Sequence, residues 1–350
     1  MNKKQYDFIY LTNTPSFYKL NLCREIAREH SLLLVLYGYG AEAVNTVLTG
    51  GEGFPFDYQF LHEGDAAKRS KAGVFLGLLR LMRRVEGRCV LFAGWMAPEY
   101  DLYAFLSPRR KNALVCESSI MDVSFRGAAG ALKKAVIRRM GAALPSGRPH
   151  DALFEAVGFR GERFIAGSVG IFRKGARQPG GRPHSPLRYL YVGRLVAVKN
   201  VQLLVEEFNR SGRPLTIVGK GELEDELKAA AKPNVAFRGF VENEKLGEIY
   251  QEHDVFVLPS RYEPWGLVVE EALYWGLPVI VSDRVGSSID MVRELGTGCV
   301  FASENGESLR AAVERMERRF GQYRQAASSI DWAEREERQV AAYAALLDQR

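Results

Sequence analysis

The second half of the chain alternates short apolar runs with helical stretches, and this alternation restricts the fold more than any other feature of the sequence. The apolar runs end near Gly, Pro or Ser and read RYLYVG, LTIVG, VAFRG, DVFVLP and PVIVS. Helices are predicted between them, at 200–208, 223–231, 243–251 and 267–275. Strands that alternate with helices form a parallel, doubly wound sheet. The pattern therefore predicts a Rossmann-like domain of the α/β class.

A less regular alternation occupies the first half of the chain. Apolar runs at 8–11, 32–37, 90–93 and 113–116 are predicted strands, and 19–30 is a predicted helix. At 350 residues the chain is too long for one ordinary hydrophobic core and fits two domains of similar size. A doubly wound domain is therefore also expected in the first half of the chain, N-terminal to the one predicted above.

The segment RKGARQPGGRPHSP separates the two alternating regions. It is rich in Gly, Pro and basic residues and has no apolar periodicity, which is typical of a linker. We predict an N-terminal domain at 1–172, a linker at 173–187, a C-terminal domain at 188–330 and a closing helix at 331–350. An apolar stripe at 340–347 would pack that helix back on the N-terminal domain.

The distribution of His and Cys residues argues against several kinds of site. The four cysteines have no CxxC spacing, and the five histidines form no HxH or HxxxH pair. We therefore expect neither a disulfide framework nor a protein-bound metal. The longest apolar runs fall short of the ~20 residues that a membrane-spanning helix needs, and no export signal is visible. A cytoplasmic protein is expected.

Positive charge is concentrated in the first half. Residues 1–180 contain 26 Lys and Arg against 16 Asp and Glu, whereas residues 181–350 contain 22 against 26. Two helical stretches, at 72–84 and 131–140, place apolar residues beside basic ones. Such helices dock proteins on anionic lipid, but core-facing helices with solvated basic faces fit the pattern equally well. The charge excess favours the inner face of the plasma membrane, and the lack of interleaved aromatic residues disfavours nucleic acid.

Two carboxylates follow the predicted strand that ends at Leu258. Seven residues separate Glu263 from Glu271. If a helix begins at Pro264 or Trp265, Glu263 lies at its N-terminal end and Glu271 ~12 Å further along the axis. That separation suits an extended nucleotide-sugar, whose diphosphate would meet the free N–H groups of the helix. Two solvated surface glutamates fit the same spacing, so the pair is weak evidence alone.

Four segments between residues 191 and 283 form an ordered set. They read YVGRLVAVKN, LTIVGKGELEDELKA, VAFRGFVENEKLGEIY and YEPWGLVVEEALYWGLPVIVSD. This set resembles the motifs of family 4 glycosyltransferases of the glycosyl transferases group 1 type. The resemblance implies the GT-B fold, with two Rossmann-like, doubly wound parallel-sheet domains that face a cleft and a C-terminal helix that crosses back to the first domain. It also implies a retaining reaction.

The resemblance assigns roles to individual residues of the second half. By it, Arg194 and Lys199 would hold the diphosphate and assist departure of the nucleoside diphosphate. Glu263 would bind a hydroxyl of the transferred sugar, and Glu271 would bind the donor ribose. Backbone groups near the nucleotide, sugar and phosphates would come from Gly193, Gly219, Gly239, Phe240, Val241, Trp265, Gly266 and Leu267.

The first half departs from the family's pattern at two places. Many relatives have a Gly-rich turn after the first strand, whereas this chain has TNTPSFYKLNL, where the amide of Ser16 would take its place. Many relatives have a His near the reacting sugar, whereas this chain has VCESSIMD, with Glu117 at that place. Glu117 would either contact acceptor or sugar or have only a structural role as a helix cap or core-edge residue.

The resemblance implies transfer of a sugar from a nucleoside-diphosphate sugar, with UDP favoured over GDP, to a hydroxyl of a glycan or lipid-linked acceptor. It places the reaction in bacterial cell-surface polysaccharide or lipopolysaccharide synthesis, without metal or other cofactor. Two alternatives stay open. One is a nucleotide-sugar epimerase of the same fold, and the other is a non-catalytic glycan-binding subunit, which the missing Gly turn and His favour.

Overall fold

The computed structural model describes residues 3–14, 16–38, 53–95, 97–121, 123–172 and 182–348. The chain divides into two compact units. Unit 1 consists of Met1–Arg173 together with Ala333–Arg350, and unit 2 is Lys174–Trp332. Most of the predicted linker, at 173–181, lies outside the described residues.

In the part of unit 1 that the structure describes, seven parallel strands form one sheet. They are β1 (Lys4–Thr12), β2 (Leu32–Leu36), β3 (Asp57–Phe60), β4 (Val85–Ala93), β5 (Asn112–Cys116), β6 (Ala142–Pro145) and β7 (Glu162–Arg163). Their spatial order is β3-β2-β1-β4-β5-β6-β7. Its helices are α1 (Phe17–Ile26), α2 (Lys71–Arg84), α3 (Pro98–Leu106), α4 (Gly127–Arg138) and α5 (Arg148–Ala156). The edge strands β3 and β7 are largely exposed and therefore lack the apolar run by which β1, β2, β4 and β5 are predicted.

The sheet of unit 1 separates two hydrophobic cores. Side chains of β1 alternate between them, because successive residues of a strand point to opposite faces. Ile9 belongs to one core and Phe8 to the other. The second core also contains Tyr343, Leu346 and Leu347 of the last helix, Trp332–Asp348. This confirms the prediction that the C-terminal helix packs back on the first domain.

The described residues of unit 2 form a sheet of six parallel strands. They are β8 (Tyr189–Val192), β9 (Leu215–Val218), β10 (Val235–Gly239), β11 (Val255–Leu258), β12 (Val279–Ser282) and β13 (Gly298–Phe301). Its helices are α6 (Val201–Ser211), α7 (Glu224–Ala230), α8 (Asn243–Gln251), α9 (Leu267–Tyr274) and α10 (Gly306–Ser328). The last helix of the chain, α11 (Trp332–Asp348), belongs almost entirely to unit 1. All five predicted strands are present, and β13 is additional.

The strand order of unit 2 is β10-β9-β8-β11-β12-β13. The chain therefore adds strands on one side of β8 and then crosses to begin again at β11. Such a reversal leaves a crevice outside the carboxyl ends of the two central strands, which is where doubly wound sheets bind ligands. The predicted doubly wound architecture is confirmed in both units, and in unit 2 the reversal lies between β8 and β11.

Candidate functional site

The loops that follow β8 and β11 are tied together at the reversal of the sheet of unit 2. Arg261, in the loop after β11, donates its backbone N–H to the carbonyl oxygen of Val198 at 2.8 Å. Its side-chain Nη1 donates to the carbonyl oxygen of Ala197 at 2.7 Å. These bonds hold the segment at 196–200 against the loop after β11. Groups from both loops therefore face the same edge of the sheet.

Lys199 and Glu263 form an ion pair between these loops. Lys199 Nζ contacts Glu263 Oε2, although the two residues are 64 positions apart in the chain. Both side chains are only 15% exposed. Lys199 ends a short 3-10 turn, Ala197–Lys199, so its direction is fixed by the backbone. The structure thus brings together the predicted phosphate-binding lysine and the predicted sugar-binding glutamate.

Arg194 lies in the same loop as Lys199 but is exposed. Its guanidinium makes no hydrogen bond or ion pair with any residue that the structure describes, whereas its carbonyl oxygen accepts a bond from the hydroxyl of buried Tyr191 at 2.9 Å. Tyr191 therefore shapes the turn while the cation stays available. A solvated guanidinium beside the carboxyl end of a central strand is suited to bind an anionic ligand.

The helix after Glu263 begins later than the glutamate spacing suggests. It starts at Leu267 rather than at Pro264 or Trp265, and its N-cap Gly266 has a left-handed backbone with φ +89°. The Glu263 N–H donates to Arg284 O at 3.1 Å, so this segment is extended and pairs with the loop after β12. The helix predicted at 267–275 agrees with α9, whereas the condition of a start at Pro264 or Trp265 is not met, so the ~12 Å axial separation of the glutamates does not apply.

Glu271 lies in the second turn of α9 and is partly buried. The hydroxyl of Tyr250, on α8, donates to Glu271 Oε2 at 3.1 Å. Burial raises the pKa of Glu271 to about 7, and the charge of Glu270 adds to this, while the Tyr250 bond opposes it. Glu270 itself is buried and accepts the indole N–H of Trp265 at 3.2 Å. The side chain of Trp265 is therefore a core element.

Glycines allow the ends of β8, β9 and β10 to approach closely. The Gly219 N–H donates to Gly239 O at 2.7 Å, and the Gly193 N–H donates to Val218 O at 3.0 Å. Gly219 has φ +139°, and a Cβ there would lie 1.9 Å from the Gly193 carbonyl oxygen. No residue larger than glycine fits at position 219, so backbone atoms alone form the surface at the ends of these strands.

The loop after β10 presents an aromatic side chain. Phe240 is 66% exposed, and Val241 beside it is partly buried. Lys220, at the end of β9, is exposed and has its Cε 3.9 Å from the Cβ position of Gly239. The motif resemblance did not single out Lys220, although the Gly-Lys-Gly sequence that contains it is part of one of the four matching segments.

Three buried polar atoms in the loops after β8, β11 and β12 have no hydrogen-bond partner among the described residues. They are Asn200 Nδ2, Ser260 Oγ and Ser287 Oγ. Unpartnered polar atoms are costly to bury, so they mark positions where a polar ligand or water would be bound. Asn200 also has a left-handed backbone, with φ +53°. Sequence reasoning missed all three, because Asn and Ser give no signal by themselves.

Unit 1 contains two candidate residues, Glu117 and Ser16. Glu117 follows β5, and its Oε1 lies 3.0 Å from Lys19 Nζ on α1. Burial lowers the pKa of Lys19, but the Glu117 carboxylate more than offsets this and raises it. Glu117 is thus an ion-pair partner and caps no helix. Ser16 is the N-cap residue of α1, but its side chain makes no capping bond.

Two kinds of feature, a membrane-spanning helix and a cluster of metal ligands, are absent from the described residues. No described helix combines the length and apolar character that a bilayer crossing requires. In the same ranges no three His, Cys, Asp or Glu side chains are grouped as metal ligands would be.

Curated proteins resemble part of the chain. Over 136 residues it is 33% identical to an uncharacterized glycosyltransferase of Methanocaldococcus jannaschii, a match that covers 36% of this chain and 35% of that one. Over 125 residues it is 34% identical to a GDP-mannose-dependent alpha-mannosyltransferase of Corynebacterium glutamicum, covering 35% of this chain and 30% of the relative. The chain thus matches about a third of the length of these relatives.

Solved structures match nearly the whole chain in fold. The apo form of the lipopolysaccharide outer core galactosyltransferase WaaB superposes with a TM-score of 0.73 at 13% identity and covers 97% of this chain and 99% of its own. Anabaena HepE in complex with UDP and glucose gives a TM-score of 0.68 at 15% identity, with 98% of each chain covered.

The family model that matches is "Glycosyl transferases group 1", over residues 172–328. These residues include nearly all of unit 2 and therefore every residue of unit 2 that is predicted to contact the donor. By this match, residues 172–328 resemble the glycosyl transferases group 1 family, and the two parallel-sheet units have the GT-B fold.

Proposed function

We propose that the protein transfers a sugar from a nucleoside-diphosphate sugar, preferably a UDP-sugar, to a hydroxyl of an acceptor. The observation that carries the proposal is the Lys199–Glu263 ion pair at the reversal between β8 and β11, with the exposed Arg194 beside it. A diphosphate needs cations, and a sugar needs a carboxylate that accepts its hydroxyls. Both are present at the edge of the sheet where ligands bind in this architecture.

In this proposal the donor lies along the loops of unit 2. Arg194 and Lys199 bind the diphosphate, and Glu263 accepts a hydroxyl of the sugar. Glu271 accepts the ribose hydroxyls. The backbone near Gly193, Gly219, Gly266 and Leu267 lies against phosphates and sugar, and the loop at 239–241, with exposed Phe240, lies against the base. The unpartnered Asn200, Ser260 and Ser287 supply further polar contacts.

The chemistry follows from the charge that develops on the leaving group. As the glycosidic bond breaks, the nucleoside diphosphate gains negative charge, which Arg194 and Lys199 stabilise. The departing phosphate oxygen takes the proton of the acceptor hydroxyl, which attacks from the same face. The anomeric configuration is then retained without a general base or a metal, and the protein chiefly positions the reactants.

The acceptor is proposed to be a glycan or lipid-linked saccharide of a bacterial cell surface. The fold of WaaB, whose name describes a lipopolysaccharide galactosyltransferase, supports this context. The Lys19–Glu117 pair of unit 1 is the proposed acceptor-side contact, because its carboxylate is partly exposed while its lysine is buried.

Ligand-dependent melting tests the donor half. A ligand that binds only the folded protein raises its melting temperature. We expect UDP and a UDP-sugar to raise it more than GDP or ADP, with Glu271→Ala abolishing the response. No shift with any nucleoside diphosphate, together with binding of glycan, would identify a non-catalytic glycan-binding subunit.

Product analysis tests the reaction. Incubation with donor and acceptor is expected to give a glycosylated acceptor, with equal rates before and after EDTA treatment. Loss of activity in EDTA would contradict the charge-stabilisation mechanism. Release of an altered sugar from donor alone would identify an epimerase.

A further inference from the structure

Three apolar side chains project from the outer face of α3. Leu102, Phe105 and Leu106 are 55%, 43% and 64% exposed. Their spacing of three and four residues places them on one face of the helix. The opposite face is buried, with Tyr100 and Ala104 in the core. Single exposed apolar residues are common, but a cluster on one face indicates a binding surface.

The helices next to α3 also expose apolar side chains. In the fold, α3 contacts both α2 and α4. Each neighbour contributes one exposed leucine, Leu76 on α2 at 50% and Leu132 on α4 at 63%. Among the described residues of unit 1, five of the nine exposed large apolar side chains therefore lie on α2, α3 and α4.

Arginines lie beside the apolar side chains. Arg139 Nη2 donates to the carbonyl oxygen of Phe105 at 3.3 Å, and its guanidinium lies 5.9 Å from the centroid of the Phe105 ring. Arg109 Nε donates to the carbonyl oxygen of Arg138 at 3.1 Å. These bonds join the ends of α3 and α4. Arg109, Arg110 and Arg138 are all exposed there, and with Leu102, Phe105 and Leu106 they are named the α3 patch.

Acidic groups do not neutralise this surface. Residues 66–140 contain 15 Lys and Arg against 5 Asp and Glu. Glu86 is paired with Lys111 at 2.8 Å, and buried Glu99 is paired with Arg69 at 2.5 Å. Burial and the nearby charge of Glu99 raise the pKa of Asp101 to about 7, so this carboxyl is partly neutral near pH 7. The field around the α3 patch is therefore positive.

We propose that the α3 patch docks on the surface of an anionic phospholipid bilayer. Its three apolar side chains enter the headgroup region, and its three arginines pair with lipid phosphates. A second copy of the chain is a poorer occupant, because a symmetric contact would bring the same arginines against one another. The proposal depends only on unit 1 and does not rest on the proposed transferase function.

Co-sedimentation of the full chain with vesicles tests the proposal. We expect binding to vesicles that contain roughly a third phosphatidylglycerol, weak binding to pure phosphatidylcholine, and release at high salt. The triple variant Leu102→Ser/Phe105→Ser/Leu106→Ser should weaken binding at least tenfold. Arg110→Glu/Arg138→Glu should weaken it further, since each arginine at such a surface contributes about fivefold.

Matched variants on exposed positions elsewhere separate docking from general changes of surface. Ile165→Ser/Leu295→Ser removes exposed apolar side chains, and Arg293→Glu/Arg318→Glu reverses the same number of charges. Both should bind vesicles like the unaltered chain. All variants should have the melting temperature of the unaltered chain and the same increase of it with UDP. Donor binding is thereby measured separately from vesicle binding, so a failure of the proposed transferase function would not be confused with a failure of docking.

Three outcomes would overturn the proposal. The first is the absence of binding to anionic vesicles by the unaltered chain, and the second is equal loss in the matched variants. The third is self-association in sedimentation velocity that the triple serine variant abolishes while vesicle binding is unchanged, which would make the α3 patch a contact between copies.

Discussion

A single ion pair joins two loops that are 64 residues apart in the chain, and the proposed reaction depends on it. Lys199 is a short distance along the sequence from Arg194, yet only Lys199 has an anionic partner among the described residues. We infer a division of labour, in which Arg194 meets the arriving diphosphate and Lys199 is held in place for the leaving group. Both positions were named from motif resemblance, but their different surroundings are visible only in the fold.

Replacing Lys199 by Ala should lower turnover by about 100- to 1000-fold, with a much smaller change in KM, because the cation acts on charge that develops during bond breaking. Lys199→Arg should recover part of the activity. Steady-state kinetics with varied donor would measure this. Lys228→Ala, which removes an exposed lysine on α7, is the matched control and should leave both constants unchanged. A large rise in KM at constant kcat would assign Lys199 to ground-state binding instead.

The raised pKa of Glu271 predicts a pH-dependent stability. Its pKa rises from an ordinary value of 4.5 to about 7 in the folded protein. The folded state therefore holds this proton more tightly, so the contribution to stability is full below about pH 4.5 and is lost as the pH rises through about 7. Glu271→Gln should then be more stable than the unaltered chain by about 1–3 kcal/mol at pH 8, with the difference vanishing near pH 4.5. Urea unfolding at both pH values would show it, and an equal difference at both would contradict it.

At the scale of elements, the site is assembled from strand ends and loops whose backbone must come close together. Gly219 at the end of β9 is the tightest of these positions, and Gly266 sets where α9 begins. The starts of α6 to α9 were predicted to within one residue, because their apolar period is local. The extended segment between Glu263 and α9 was not predicted, because the pairing of Glu263 with the loop after β12 is a contact between distant segments.

Two glycines with positive φ provide a matched comparison. Gly219→Ala should disrupt the site and lower the melting temperature strongly, because its Cβ would lie 1.9 Å from the Gly193 carbonyl oxygen. Gly212→Ala, at φ +71° with no atom within 4 Å, should cost only the left-handed strain of about 1–2 kcal/mol and leave UDP binding intact. Thermal unfolding with and without UDP would measure both. Equal effects of the two changes would show that the close approach is not required.

At the scale of the whole molecule, the last helix of the chain belongs to unit 1, whose other residues come from the N-terminal half. Three of its residues complete a core whose other members come from strands and helices of residues 8–171. Unit 1 is therefore a discontinuous domain, whereas unit 2 is one continuous segment that holds the proposed donor residues. Damage to the last helix should accordingly affect unit 1.

Leu346→Ala should destabilise unit 1 by about 2–5 kcal/mol, because it leaves a cavity in a fully buried position. Hydrogen exchange followed by mass spectrometry should show loss of protection in β1 and β4 and retained protection in β8 and β11. The exposed Glu337 of the same helix offers a control, since Glu337→Ala should leave both patterns unchanged. Equal loss of protection in both units would contradict the assignment of the last helix to unit 1.

The sequence alone determined the class of fold, five strands and four helices of unit 2 and the resemblance to the glycosyl transferases group 1 family, because hydrophobic period, turn residues and ordered motifs are local properties of the chain. Only the tertiary structure decided that Lys199 pairs with Glu263, that Glu117 pairs with Lys19 and that Tyr250 holds Glu271. It also revealed the exposed apolar face of α3 beside exposed arginines. These features depend on which distant segments meet and on how much water they exclude, and no local pattern contains that information.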